Sequence, residues 1–369
     1  MIEMWDGTFA GQEPGVREAL ERGDGWAAFR AMHERLDPVW KEVHRVLVDG
    51  GIACINIGDA TRTLGSTFAL YPNHARTLSR LLEVGFSPLP AILWRKQTNA
   101  PNKFMGSGML PPGAYVTLEH EYILVVRKGD KRVFRPAEAA ARRESAYFWE
   151  ERNTWFSDVW FDLKGTRQGL AEGKLRERSG AFPFELAYRL ISMFSVKGDT
   201  VLDPFLGTGT TTAAAIAAAR NSIGLEIDPA LEPLIEAQVK TAVTPGRERI
   251  AERIESHIDF VRKRREEKGP FGYRNGRYGF PVVTRQEMDL FLDEPRAVAG
   301  TARSGFKVEY SDAPDPRWIQ DWDWFFGEGR AEPEPDVEAS RNPRRQTLVQ
   351  LDLLTSLEAE AGPRNQTPP

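Results

Sequence analysis

Cysteine is almost absent from the sequence, and this scarcity excludes two kinds of protein. Cys54 is the single cysteine among 369 residues, so the chain has neither a disulfide framework nor a cysteine-rich zinc site. The five histidines do not cluster at the spacing of metal ligands, and we expect no metal. The sequence therefore predicts a fold held together by its apolar core.

Long hydrophobic runs and an excess of positive charge are also missing. No stretch approaches the roughly 18 consecutive apolar residues of a membrane span, and the N-terminus has no basic, apolar leader. These absences predict a cytoplasmic protein. The formal net charge of −4 argues against a protein that coats nucleic acid, but a sequence-specific DNA enzyme needs only a local basic face.

The residues that are present indicate an α/β protein. A long amphipathic helix is predicted from Asp24 to Leu47, and the short apolar runs 52–57, 89–94 and 122–126 are typical of buried strands. Hydrophobic residues make up 41% of the chain, which suits a large globular core.

A glycine loop carries the most specific pattern. Residues 200–203 predict a strand that ends in Asp203, and Gly207 and Gly209 follow it before a helix from 211 to 220. The helix amides and dipole would favour an anionic or carboxylate group at this loop. A structural turn is the alternative for the loop alone. The second predicted strand ends in Glu226, where a carboxylate can accept hydrogen bonds from ribose hydroxyls, and this favours a ligand site.

The order of the elements predicts a circular permutation. A loop of this kind opens a doubly wound domain, so further strands must complete its sheet. After Asp228 the sequence offers two helices and a poorly patterned tail, whereas three strand patterns lie upstream. We therefore expect the N-terminal half to complete the sheet.

The loop resembles a known family. The string Asp203-Pro-Phe-Leu-Gly-Thr-Gly-Thr-Thr211 resembles motif I of the DNA N4-cytosine and N6-adenine methyltransferases, Gly224-Leu-Glu-Ile-Asp228 resembles their motif II, and Phe182-Pro183 resembles their motif X. The resemblance implies S-adenosylmethionine (AdoMet) as the cofactor. It implies that the cofactor site consists of Phe182, Pro183, Asp203, Pro204, Phe205, Gly207, Thr208, Gly209, Thr210, Glu226 and Asp228.

The resemblance also implies the architecture. The expected fold class is α/β, a Rossmann-like methyltransferase fold with a doubly wound, mostly parallel sheet in the permuted order of the β-type enzymes, with a variable insertion and a C-terminal extension. The predicted domains are a catalytic half (1–128), a target-recognition region (129–180), an AdoMet-binding half (181–245), a helical or irregular extension (246–326) and a disordered tail (327–369).

One motif of the family is missing. Its enzymes hold the target amine with a tetrapeptide of Asp, Asn or Ser followed by Pro-Pro-Tyr, and the sequence contains no such string. Leu110-Pro-Pro-Gly-Ala-Tyr115 is the nearest, and we interpret it as a proline-rich loop. The opening residues Met1–Asp6 resemble those that follow the tetrapeptide in cytosine-N4 enzymes. We therefore expect Met1 to be an internal methionine of a longer native product.

These patterns predict a site-specific DNA methyltransferase of the restriction-modification type, with cytosine N4 as the favoured acceptor. Adenine N6 is the alternative, as is an inactive fragment that binds AdoMet and DNA. A small-molecule methyltransferase or a nicotinamide oxidoreductase ranks third. The expected partners are double-stranded DNA and a cognate restriction endonuclease. Basic residues predicted to face DNA phosphates are Arg95, Lys96, Lys103, Lys164, Arg167, Lys174, Arg176 and Arg178.

Overall fold

The computed structural model describes residues 9–64, 67–96, 105–106, 109–163, 182–327 and 346–353. The chain divides into two units. The first comprises Met1–Arg135 and Glu151–Leu186, and the second comprises Pro136–Glu150 and Ala187–Pro369.

In its described residues, the first unit combines helices with a main sheet and small two-stranded ribbons. Its helices are α1 (Pro14–Glu21), α2 (Gly25–Val46) and α3 (Asn73–Val84). Its strands are β1 (Ile52–Ile57), β2 (Ala60–Leu64), β3 (Thr67–Tyr71), β4 (Phe86–Pro88), β5 (Ile92–Arg95), β6 (Met105–Gly106), β7 (Ala114–Tyr115), β8 (His120–Lys128) and β9 (Val159–Trp160).

Short side chains and glycine set the helix ends in this unit. The Asp24 carboxylate accepts a hydrogen bond from the Ala27 amide at 2.9 Å, which caps the first turn of α2. Gly85 ends α3 with a φ of 111°, a left-handed conformation that glycine adopts without strain. The long helix predicted from 24 to 47 is thereby confirmed to within one residue at each end.

The main sheet of the first unit is mixed, not mostly parallel as predicted. Its order is β1-β8-β5-β9, with β4 also paired to β8. The long strand β8 runs antiparallel to β1, β4 and β5, and only β5 and β9 are parallel. The prediction was wrong in direction because a continuous apolar run reports burial on both faces and does not by itself fix strand direction.

Apolar residues of α2, α3 and β8 form the core of this unit, with Leu36, Trp40, Leu81 and Val126 buried. A histidine is buried beside the same helix α2. The side chain of His33 is fully enclosed, its Nε2 lies 3.0 Å from Asn73 Oδ1, and Phe29 packs edge-on against the ring. Desolvation by burial lowers the pKa of His33 to about 4, from the usual 6.5.

The buried His33 predicts acid sensitivity of the first unit. The imidazole stays neutral in the folded state below pH 6.5, where the unfolded chain binds a proton, so the free energy of unfolding should fall between pH 6.5 and about 4. The loss should reach about 3 kcal/mol. Chemical denaturation at pH 7.5, 6 and 4.5 measures it. His33→Gln should be less stable at pH 7.5 but should flatten this dependence, and an unchanged pH profile in that variant would contradict the assignment.

The second unit contains the glycine loop and the C-terminal region. Its strands are β10 (Thr200–Asp203), β11 (Asn221–Glu226), β12 (Tyr273–Arg274), β13 (Pro281–Val282), β14 (Pro295–Thr301), β15 (Gly305–Tyr310) and β16 (Gln346–Leu353). Its helices are α4 (Pro136–Glu144), α7 (Thr210–Ala217), α8 (Glu232–Thr241) and α9 (Val243–Lys268), while α5 (Trp149–Trp155) and α6 (Phe184–Phe194) carry the chain between the units.

The sheet of the second unit has the order β10-β11-β16-β15-β14. β10, β11 and β16 are parallel neighbours, and β14 and β15 form an antiparallel hairpin. Within the described residues this sheet is extended by strands that follow Asp228 and not by the N-terminal half, so that prediction was wrong, because the strand patterns at 295–301, 305–310 and 346–353 were not recognised in the sequence.

β16 lies inside the predicted disordered tail 327–369, so that prediction was wrong for residues 346–353. The string Gln-Thr-Leu-Val-Gln-Leu-Asp-Leu contains β-branched and apolar residues that suit a strand. It was not recognised because the surrounding segment is rich in Pro, Glu and Arg, a composition typical of disorder.

The C-terminal region has a substantial core. Tyr278, Phe280, Leu290 and Trp322 are buried there against α9. Asn275 organises this region, because its side chain donates to two carbonyl groups and accepts from two amides, all at 2.8 to 2.9 Å. Residues 136–150, which the sequence placed in the recognition region, belong to this unit.

Among the described residues, no helix is both long enough and apolar enough to cross a membrane.

Candidate functional site

The glycine loop of the second unit joins β10 to α7. Gly207 and Gly209 both have left-handed backbones, with φ values of 58° and 89°, which side-chain-bearing residues adopt only at a cost. The Leu206 amide donates to the Leu225 carbonyl at 2.9 Å and ties the loop to β11. Because β10 and β11 are parallel, β10, the loop, α7 and β11 form a β-loop-α-β unit.

Close packing at Gly224 holds this loop against the sheet. A Cβ atom on Gly224 would lie only 2.5 Å from Cδ2 of Leu206, so any side chain there would have to displace the buried Leu206 side chain. The sequence placed Gly224 in a motif but not among the site residues. The signal was a lone glycine inside a strand, which often marks close approach of another segment.

Asp203 stands at the carboxyl end of β10 and organises the start of the loop. Its carboxylate accepts hydrogen bonds from Thr211 Oγ1 at 2.5 Å and from the Phe205 amide at 3.0 Å. Burial raises the pKa of Asp203, and these two hydrogen bonds partly offset that effect. Asp203 therefore holds both ends of the turn that leads into α7.

Glu226 at the end of β11 performs a similar task from the neighbouring strand. Its Oε2 accepts from the Gly207 amide at 2.8 Å, and its Oε1 accepts from the Asp228 amide at 2.9 Å. The Glu226 side chain is nearly buried. A carboxylate offers about four acceptor directions, so each oxygen retains capacity for a ligand hydroxyl while it fixes the loop.

The N-terminus of α7 faces this loop. Gly209 caps the helix and Thr210 is its first residue, so the first amides of the helix are available to a negatively charged ligand group. Behind them, four alanines and Ile216 are buried between Ala213 and Ala217, and the small alanine side chains let α7 pack closely. Asp228 lies beyond β11, where its Oδ1 accepts from the Ala230 amide at 3.0 Å.

The structure brings most of the predicted cofactor residues together on one loop and the end of the next strand. These are Asp203, Pro204, Phe205, Gly207, Thr208, Gly209, Thr210, Glu226 and Asp228. Phe205 exposes about half of its side chain, 52%. Phe182 and Pro183 precede α6 and belong to the first unit, so their place in the site stays a prediction.

A family model described as DNA methylase, of the N6/N4 methyltransferase type, matches residues 8–237. The chain belongs to the N4/N6 amino-methyltransferase family. It is 51% identical over 314 residues to the type II methyltransferase M.MthZI of Methanothermobacter thermautotrophicus, an alignment that covers 85% of this chain and 87% of the relative. It is 50% identical over 250 residues to the type II methyltransferase M.MjaI of Methanocaldococcus jannaschii, which covers 65% of this chain and 81% of the relative.

A solved structure, TTHA0409 of Thermus thermophilus in complex with S-adenosyl-L-methionine, is 34% identical to this DNA methyltransferase. The match covers 58% of this chain and 78% of that chain, with a TM-score of 0.48.

Family membership confirms three predictions from the sequence. The chain is a DNA methyltransferase of the N4/N6 type, it has the Rossmann-like methyltransferase fold, and its methyl donor is AdoMet. The donor set of the loop suits such a ligand, because Glu226 can accept from hydroxyl groups and the helix amides can donate to a carboxylate.

The basic residues predicted to contact DNA divide into two groups. Arg95 pairs with Glu119 at 3.0 Å, and Lys96 pairs with Glu121 at 2.9 Å. Both cations therefore already have carboxylate partners, which weakens a role as simple phosphate contacts. The remaining predicted residues lie outside the described part of the chain: Lys103, Lys164, Arg167, Lys174, Arg176 and Arg178.

A polar cluster in the first unit was not predicted from the sequence. Asp59, just after β1, accepts a hydrogen bond from the backbone amide of His74 at 3.0 Å and contacts its Nδ1 at 2.7 Å. His74 in turn stacks on Tyr122, with ring centroids 3.8 Å apart. The sequence feature that could have indicated this cluster is the string Asn-Ile-Gly-Asp at the end of the predicted strand 52–57. Within the described ranges, no group of three or more His, Cys, Asp or Glu side chains could hold a metal ion.

Proposed function

We propose that this DNA methyltransferase transfers the methyl group of AdoMet to N4 of cytosine in double-stranded DNA. Family membership supports methyl transfer to an exocyclic amine of a DNA base. The choice of cytosine rests on the opening residues Met1–Asp6, which resemble those of cytosine-N4 enzymes. Adenine N6 is the alternative acceptor of the same reaction class.

The proposed chemistry is a direct transfer. The amine nitrogen forms a bond to the methyl carbon while the carbon–sulfur bond breaks and its electron pair stays on the departing sulfur. The nitrogen then loses a proton to water. The base must leave the duplex stack for this reaction, because its amine is otherwise paired. In this proposal Glu226 binds the ribose hydroxyls of the donor, the N-terminus of α7 faces its carboxylate, and Asp203 keeps the loop in shape.

The remaining assignments belong to the same proposal. Phe182 and Pro183 would line the methionine end of the donor site. The catalytic half would precede the AdoMet half in the permuted chain order, the region 129–180 would read the DNA sequence, and a restriction endonuclease would share the recognition site. The type II relatives support this restriction-modification setting.

The sequence contains no tetrapeptide of Asp, Asn or Ser followed by Pro-Pro-Tyr. This favours a second function. Without a side chain and carbonyl to hold the amine, the chain would bind AdoMet and DNA but transfer no methyl group. This candidate shares the cofactor site with the first and differs only in turnover.

Methyl transfer from tritiated AdoMet to mixed-sequence DNA, followed by digestion to nucleosides, distinguishes these candidates. We expect labelled N4-methylcytosine, and no label with Asp203→Ala, in which the loop loses the acceptor for Thr211 and Phe205. Labelled N6-methyladenine would contradict the choice of cytosine. Measurable AdoMet binding without any labelled base would support the non-catalytic candidate.

A further inference from the structure

Exposed apolar side chains gather on the ribbons β2–β3 and β6–β7 of the first unit. Phe68 of β3 stacks on Tyr115 of β7, with ring centroids 4.8 Å apart and an interplanar angle of 12°, and both rings are exposed. Leu70, two residues after Phe68 on the same face of β3, and Val116, directly after β7, are exposed as well. Apolar surface gathered in this way often marks an interaction site.

A tight turn before β7 adds an apolar tip to this surface. Met109 is 86% exposed and Leu110 is 71% exposed. The Leu110 carbonyl accepts from the Gly113 amide at 3.1 Å and closes the turn. Both residues between them are prolines, and proline fixes φ in its ring. The tip is therefore presented on a stiff backbone.

The sequence of the two ribbons contains no acidic residue. Residues 60–71 and 97–118, which include both ribbons, contain no Asp or Glu, and their charged residues are Arg62 and Lys103. In the whole chain about one residue in seven is acidic, 53 of 369. Apolar and basic residues without carboxylates suit DNA, in which stacked bases lie between phosphates. In a symmetric pairing of two copies, charges of like sign would meet, so the charge favours DNA over a second copy.

The tip has the composition of side chains that enter a base stack. Methyl transfer to a paired amine requires the base to leave the duplex, which opens a gap between its neighbours. Proteins that unstack DNA insert Phe, Leu, Ile, Met or Pro side chains between base steps. Met109, Leu110 and the two prolines that follow them belong to this set.

We propose that Met109 and Leu110 insert into the duplex at the position that the base to be methylated vacates, an inference that rests on the proposed function. The two side chains bury their apolar surface against the neighbouring base pairs and delay the return of the base. The stacked rings of Phe68 and Tyr115 brace the ribbon that carries the tip.

Duplexes that already contain a gap test this proposal without a known recognition sequence and without turnover. Mixed-sequence duplexes with one central abasic site would be compared with the same duplexes fully paired, by fluorescence anisotropy with the full chain and saturating AdoMet. We expect the abasic duplexes to bind about tenfold more tightly, because the tip then has no base to displace.

Substitutions at the tip show whether its apolar side chains cause this preference. The double variant Met109→Ser, Leu110→Ser should abolish it but bind paired duplexes within about twofold of the unchanged chain, because phosphate contacts supply most of that affinity. The exchange Met109→Leu, Leu110→Met should retain the preference. Val48→Ser is the matched control, since it removes an exposed apolar side chain after α2 and should change nothing.

Equal affinity of the unchanged chain for the two duplexes, or a preference that persists in the double serine variant, would overturn the proposal. A dimer in sedimentation equilibrium that is lost in the same variant would also overturn it, because the tip would then join two copies. Methyl transfer is measured separately. A chain that methylates DNA but binds both duplexes equally contradicts this inference alone, and a chain that prefers abasic duplexes but transfers no methyl group contradicts the proposed transfer alone.

Discussion

Glu226→Ala is expected to abolish detectable AdoMet binding. The substitution removes the acceptor for the Gly207 and Asp228 amides together with the carboxylate proposed to bind the ribose. Hydrogen bonds to a charged group contribute about 1.5–3 kcal/mol each, so the dissociation constant should rise at least about 100-fold. Isothermal titration calorimetry with AdoMet measures this change.

Two further variants separate the loss of the carboxylate from general damage. Glu226→Gln keeps one acceptor oxygen and should have an intermediate affinity, because one of the two backbone amides retains its partner. Glu252→Ala removes an exposed glutamate of α9 and should bind AdoMet normally. An unchanged dissociation constant in Glu226→Ala, with an intact folded structure, would show that this carboxylate is not part of the cofactor site.

The cofactor loop was predictable from the sequence because its signals are local. A strand that ends in Asp203, two closely spaced glycines and an alanine-rich helix lie within 20 residues of each other, and chain connectivity alone brings them together. The same holds for the cap of α2 at Asp24. Each of these features needs only its immediate neighbours in the chain.

The hydrogen bonds to Glu121 in the first unit were not predictable in this way. Glu121 receives hydrogen bonds from Asn56 and Lys96, which are 65 and 25 positions away. The sequence shows these residues as ordinary polar positions at strand ends, and only the antiparallel pairing of β1 and β5 with β8 brings them together. Strand direction, the property that the sequence predicted wrongly, decides which side chains meet.

The C-terminal region was the least predictable part, since its order depends on distant contacts. Lys197, in the turn before β10, is 4% exposed and contacts the carboxylate of Asp293 just before β14. The Glu144 carboxylate lies 3.7 Å from the same ammonium group, and Phe291 places its ring 4.8 Å from it. Residues 246–326, which were predicted to be helical or irregular, supply the partner that fixes the turn leading to Asp203.

Lys197→Met is therefore expected to destabilise the second unit by about 3–5 kcal/mol, because the substitution leaves the Asp293 carboxylate buried without its cation. Urea unfolding followed by the near-ultraviolet signal of the tryptophans measures the effect. Lys263→Met is the matched control. It makes the same substitution in an exposed ion pair with Glu267 on α9 and should cost less than about 0.5 kcal/mol.

The double variant Lys197→Met, Asp293→Leu distinguishes a buried charge from a packing defect. If the uncompensated carboxylate causes the loss, removal of that carboxylate should restore most of the stability, since buried ion pairs can often be replaced by apolar residues at little cost. An additive loss in the double variant would instead mean that Lys197 stabilises the turn through its packing on Phe291. Recovery should also restore AdoMet binding at temperatures where Lys197→Met is partly unfolded, because AdoMet binds only the folded unit and the two equilibria are linked.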